Sequence, residues 1–169
     1  MAAQAKAGEQ KGYVSGNGAV DKIPVAKRVV PVKLKGRVAG RLGVGHRLHA
    51  RQGARAQRLG ILVCAVCGRG PALQQTWADL QADRAPVCFV GIDFRKDPAR
   101  GAAFATKVGV TYLSLTDESG VAILALQGKA PTVPTTLVLD TQGRIAARVN
   151  GASSGSTVRG LVEDVIAGT

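Results

Sequence analysis

A three-layer α/β sandwich is the architecture this sequence predicts from residue 59 onward. Short apolar runs alternate with amphipathic stretches of helical length, the pattern of parallel strands crossed by helices. Residues 131–148, P-T-V-P-T-T-L-V-L-D-T-Q-G-R-I-A-A-R, then read as a β-hairpin, and residues 156–167 read as a closing helix. The expected order is β-α-β-α-α-β-β-α.

Each element has its own signal. Ile61-Leu62-Val63-Cys64-Ala65-Val66 is a short apolar run suited to a buried strand, and residues 71–84 form a helix with Leu73, Trp77 and Leu80 on one face. Residues 86–92 (P-V-C-F-V-G-I) make a second buried strand. Asp97-Pro98 opens a helix carrying Ala102, Phe104, Ala105 and Val108, and Gly109 ends it. After Val110-Thr111-Tyr112, residues 117–126 form a short helix capped by Asp117 or Ser119, with apolar positions at Val121, Leu124 and Ala125. In the hairpin, residues 135–140 are β-branched and apolar, Thr141-Gln142-Gly143 supplies the turn, and residues 144–149 return. Proline cannot donate to a sheet ladder, so Pro134 belongs at the start of that strand, where an X-Pro bond can be cis and leave backbone exposed to a bound peptide. The closing helix directs Val158, Leu161, Val162, Val165 and Ile166 inward, and Gly168 stops it.

The chain of 169 residues is long enough for one domain with a tail, and its 46% apolar content without a bilayer-spanning run reads as soluble and globular. The net charge of +12 is unevenly placed. Residues 1–70 hold 14 of the 23 Lys and Arg against only Glu9 and Asp21, whereas residues 71–169 are balanced. No acidic residue occurs between Asp21 and Asp79. Residues 1–21 lack periodicity and read as a flexible lead-in, residues 22–34 alternate apolar and basic positions and suit an edge strand, and residues 35–58 hold neither period. The expected division is therefore a disordered or irregular basic region over 1–58 and a folded domain over 59–169.

The cysteines are Cys64, Cys67 and Cys88. C-A-V-C beside a strand and helix pattern suggests a dithiol redox pair or half of a metal site. Zinc needs four ligands, and the two histidines, His46 and His49, stand at loose spacing from Cys64, so no metal and no cofactor are expected. Cys88, inside an apolar strand, reads as a small buried hydrophobe.

The C-x-x-C before the first helix, with F-V-G-I-D-F-R-K-D-P, G-V-T-Y-L-S-L-T-D and V-P-T-T-L-V-L-D-T-Q-G-R after it, resembles the thioredoxin-like thiol–disulfide oxidoreductases of the TlpA/ResA type. The likeness covers roughly residues 70–168. It implies a thioredoxin-like sandwich in which Pro134 is cis and faces the dithiol, with Val133, Pro134 and Thr135 as the substrate contact. It also implies Cys64 as the attacking thiol and Cys67 as the resolving one, because a cysteine at a helix N-terminus has its thiolate favoured by unpaired N–H groups. Members of that family are usually held outside the cytoplasmic membrane, and many reduce disulfides, including those of apocytochrome c. The partners implied are protein disulfide or dithiol substrates and a membrane redox donor, acting on a monomer.

The departures from the family gather upstream of Pro71. The family has a long buried strand followed by W-C-x-P-C, whereas this chain reads A-R-A-Q-R-L-G-I-L-V-C-A-V-C, and Gly68-Arg69-Gly70 weakens the helix start. Leu113 stands where members often have proline, and Lys96 lies near where some carry a functional acid. A legal codon spelling of residues 50–67, read one base later, gives R-G-K-V-L-V-L-N-V-W-A-S-W-C-A-P-C, the missing strand and motif. The sequence is thus expected to carry a frameshifted segment that begins between Val29 and Ala50 and returns between Cys67 and Pro71. The apolar run at residues 61–66 would then slide into the vacant strand position, leaving Cys64 within a strand and less reactive.

Three other readings compete. An inactive frameshifted relative would keep the fold without the chemistry, and a peroxidase of the peroxiredoxin group would need a local motif that is not present. A nucleic-acid module would use Arg37, Arg41, Arg47, Arg51, Arg55 and Arg58 on phosphates, but that region has no aromatic residue for stacking, so nucleic acid is not the expected partner. Residues 2–20 resemble the polar spacer that follows a lipid-anchor signal in family members. An extracytoplasmic, membrane-anchored location is expected from the family, although the chain as written shows no signal peptide.

Overall fold

The computed structural model describes residues 13–15, 18–34, 37–39, 59–64, 70–93, 98–130 and 134–168. Its strands are β1 (Tyr13–Ser15), β2 (Gly18–Lys22), β3 (Arg37–Ala39), β4 (Leu59–Cys64), β5 (Val87–Asp93), β6 (Leu113–Thr116), β7 (Thr135–Leu139) and β8 (Ile145–Asn150). Its α-helices are α1 (Gly70–Ala82), α2 (Pro98–Val108), α3 (Val121–Ala125) and α4 (Gly155–Ile166). Among the described residues, eight strands form one sheet in the order β1-β2-β8-β7-β4-β5-β6-β3. The pairs β4–β5 and β5–β6 are parallel, and β4–β7 and β7–β8 are antiparallel.

The sheet is covered on both sides, giving the expected three layers. β5 shows why its sequence is apolar throughout: Val87 and Phe89 enter one core with Leu73, Leu80, Val158, Leu161 and Val162, while Val90 and Ile92 enter a second with Leu115, Ala122, Leu126, Leu137 and Ile145. A strand buried on both faces cannot alternate apolar with polar. The first core lies under α1 and α4, which pack against each other, and Phe89 sits between Trp77 at 5.2 Å and Tyr112 at 5.8 Å. Burial among these rings raises the Tyr112 pKa above its ordinary value.

The second core is covered by α3 and by residues 23–34. That segment leaves β2 at one side of the sheet, makes a 3-10 turn at Val25–Lys27, and buries Val32 and Leu34. Beyond it, β3 pairs antiparallel with β6 at the other side of the sheet. The segment is pinned by the Val32 N–H to the Gly143 carbonyl at 2.8 Å and by Arg28, whose guanidinium donates to Asp140 at 3.3 Å. The Arg28 and Asp140 side chains are only 5% and 7% exposed, so this basic residue is buried against a partner. The strand expected over 22–34 therefore lies earlier, at β2, and the sheet already includes residues before 59.

Other differences are local. β6 was not expected, and its presence makes the order from Leu59 β-α-β-α-β-α-β-β-α. β4 begins two residues before the expected run, and the end of that run, Ala65 and Val66, lies outside the described residues. In α3 the buried residue is Ala122, followed by Leu126, while Val121 and Leu124 are exposed. The Asp117 carboxylate accepts the Ile123 N–H at 2.9 Å, which sets the helix by its start and turns Leu124 outward. Ile166 is likewise exposed in the last turn of α4. That helix starts where Ser154 accepts the Thr157 N–H at 3.1 Å, an N-cap. No helix among the described residues is long and apolar enough to cross a membrane.

Candidate functional site

The register of two central strands brings the first cysteine to the proline-led strand. β4 and β7 are antiparallel neighbours in which Cys64 stands opposite Thr135, the residue that follows Pro134. Thr135 in turn stands opposite Asn150 on β8, and Asn150 opposite Ala19 on β2. One row thus crosses four strands at the end of the sheet where β4 finishes and β7 begins. Thr135 is fully buried, and Pro134 before it is half-buried.

The Pro134 backbone is held from the side of β8. Its carbonyl accepts the Gly151 N–H at 2.8 Å, and Gly151 has φ +87°, a conformation that glycine adopts without strain. Next along β7, the Thr136 hydroxyl meets the Ser153 hydroxyl at 3.4 Å in a buried pair. Ser153 immediately precedes the cap of α4, so this helix and the proline-led strand are fixed together. Gly151 and Ser153 were not singled out from the sequence. The signal that could have found them is a glycine and a serine cluster directly after a strand, where a chain must turn sharply into a capped helix.

Cys64 is the last described residue of β4 and Gly70 the first of α1, and residues 65–69 lie outside the described residues. Cys64 is a ladder residue of β4, paired with Thr135 of β7. Cys67 and Val133 lie outside the described residues, as do the segment 40–58, His46, His49 and Lys96. Cys88 is half-buried against the second core, in keeping with a packing role. Among the described residues no three His, Cys, Asp or Glu side chains gather as a metal site.

The far end of the β7–β8 hairpin is an electrostatic lock. Asp140 accepts the Gln142 N–H at 2.9 Å and the Arg144 N–H at 3.0 Å on one oxygen, and the Arg144 and Arg28 guanidinium groups on the other. Burial alone would raise its pKa, but the hydrogen bonds from Arg144 and Gln142 together outweigh burial and hold it below the usual carboxylate range. The hairpin that carries Pro134 at its mouth is thus clamped at its turn.

No family model matches the sequence, and no curated protein matches it either. Solved structures do match the fold. A DsbF homologue from Corynebacterium diphtheriae superposes with a TM-score of 0.65 at 19% identity, over 92% of this chain and 99% of that one. A secreted thiol-disulfide isomerase from Corynebacterium glutamicum gives 0.63 at 22% identity, over 90% and 98%. A secreted disulfide oxidoreductase from Mycobacterium tuberculosis, described as homologous to E. coli DsbE, gives 0.55 at 23% identity, over 64% and 83%. The chain has a thioredoxin-like fold, as its motifs implied.

Proposed function

We propose that this protein is a thiol–disulfide oxidoreductase acting on protein substrates, with Cys64 as nucleophile and Cys67 as resolving thiol. The observation that carries the reading is the pairing of Cys64 with Thr135, beside Pro134, at one end of a thioredoxin-like sheet. The Cys64 thiolate attacks one sulfur of a substrate disulfide, forming a mixed disulfide and releasing the other sulfur as a thiolate. Cys67 then attacks the Cys64 sulfur, releasing the second substrate thiolate and leaving a Cys64–Cys67 disulfide. A dithiol donor, for which a membrane redox protein is the expected class, reduces that disulfide for the next cycle. Val133, Pro134 and Thr135 present backbone to the substrate. Two of the structural neighbours are secreted, which favours an extracytoplasmic setting, and the sequence motifs favour the TlpA/ResA type and a role in cytochrome c maturation or envelope redox balance.

The frameshifted segment is part of the same proposal. It is supported by the position of β4: Leu59–Cys64 fills the central place between β5 and β7, so Cys64 is a ladder residue of that strand instead of following one. Burial of Val32 and Leu34 and the pairing of β3 favour entry into the shifted frame after residue 39. A chain of this form exchanges disulfides slowly. Insulin-disulfide reduction that is measurable and abolished by Cys67→Ser supports the reading. Reduction unchanged by that substitution refutes it, and turnover indistinguishable from buffer assigns the chain to the inactive relatives. The nucleotide sequence from upstream of Met1 through Pro71 tests the shift, and codons that do not contain the shifted motif refute it.

A further inference from the structure

We infer that the outer surface formed by residues 23–34 and α3 is a docking face for an anionic lipid bilayer. Two elements far apart in sequence make it. Both lie over the second core, which takes Val32 and Leu34 from the first and Ala122 and Leu126 from the second, and the Gln127 side-chain amide donates to the Val30 carbonyl at 2.9 Å. Their outward residues are therefore presented side by side. Those residues are apolar: Val30 is 70% exposed and Leu124 78%, with Val25, Val29 and Val121 each about half exposed. Single exposed apolar residues are ordinary, but five on two adjoining elements make a patch of the kind that marks an interaction surface.

Charge selects the occupant. Residues 23–34 contain no acidic residue, and Lys27 and Lys33 are exposed beside Val25, Val29 and Val30. Arg28, the remaining cation of that segment, is turned inward to Asp140. Valine and leucine flanked by lysines whose stems are apolar and whose ammonium groups reach outward match the boundary between acyl chains and acidic headgroups. A lysine close to such a surface changes partition by roughly fivefold. The face is shallow and belongs to the folded domain, so it orients the domain on the surface instead of spanning the bilayer.

The test is co-sedimentation of the full chain with vesicles of phosphatidylcholine mixed with phosphatidylglycerol, against vesicles of phosphatidylcholine alone. Two variants are compared, Val30→Ser with Leu124→Ser, and Lys27→Gln with Lys33→Gln. All four positions are exposed, and circular dichroism checks that each variant stays folded. A third variant with Arg47, Arg51, Arg55 and Arg58 changed to Gln controls for non-specific attraction by the basic segment. Binding that requires phosphatidylglycerol and falls by tenfold or more in both patch variants is the expected result. Binding lost only in the arginine variant overturns the proposal, as does a wild-type chain that ignores the anionic vesicles. Sedimentation of the chain alone is run in parallel, and a dimer that the Val30→Ser, Leu124→Ser pair dissolves while vesicle binding is unchanged assigns the patch to a second copy and overturns it too.

Discussion

Cys64 and Thr135 face each other across the β4–β7 ladder, so the first cysteine of C-A-V-C is a strand residue beside the proline-led strand. A cysteine held within a strand ladder lacks the unpaired N–H groups that favour a thiolate at a helix N-terminus. Alkylation of Cys64 by iodoacetamide at neutral pH is expected to run no faster than that of an unactivated thiol. Mass spectrometry of the alkylated peptides checks this. Acceleration of tenfold or more would mean that the helix start reaches Cys64 after all.

Gly151 is expected to govern the placement of Pro134. At φ +87°, with its N–H given to the Pro134 carbonyl, it takes a side chain only with strain. Gly151→Ala should cost about 1 kcal/mol of stability and a larger fraction of disulfide-exchange activity than that loss alone explains. Urea melts and insulin reduction on the same preparation separate the two effects.

Asp140 should set the acid limb of stability. Its folded pKa lies below the ordinary carboxylate value, so its contribution is full above the unfolded value and is lost as pH falls through the folded one. Stability is thus expected to fall on acidification below about pH 4, and Asp140→Asn should flatten that limb. At neutral pH, Asp140→Ala should cost roughly 3 kcal/mol, because it takes the carboxylate away from the buried Arg28 guanidinium. Denaturant midpoints across a pH series decide the matter, and wild-type and Asp140→Asn curves of the same shape would contradict it.

Phe89 should be the costliest single truncation in the larger core. It is 1% exposed, with Trp77 and Tyr112 on either side. Phe89→Ala should destabilise by about 3–5 kcal/mol and shift the emission of Trp77, the chain's single tryptophan. A loss under 1 kcal/mol would mean that the site collapses and that these rings do not support each other.

The layered fold was legible because its signals are redundant. β5 is apolar throughout, α4 has an apolar face and Gly168 after it, and V-L-D-T-Q-G-R announces a hairpin turn. β6 was missed because L-S-L-T is only four residues and alternates over too short a span to outweigh the helix signal beside it. The outward face of α3 was misread because the Asp117 cap, not the apolar spacing, fixes which side chains turn inward. Arg28 shows a further limit: a charge in the sequence does not state its exposure, and the partner that buries it is more than a hundred residues away. Of the candidate site, the place of Pro134 directly before β7 was legible from the β-branched run that follows it. Gly151 and Ser153 act through a hydrogen bond and a hydroxyl contact that no local pattern encodes.

Trapping the mixed disulfide tests the central claim most directly. The Cys67→Ser chain, incubated with an oxidised protein substrate, should accumulate a covalent adduct through Cys64 that dithiothreitol releases, and peptide mass spectrometry should place the bond at that residue. An adduct through Cys88, or none under conditions where free cysteine reacts, would contradict the assignment of thiol–disulfide exchange to the strand end beside Pro134.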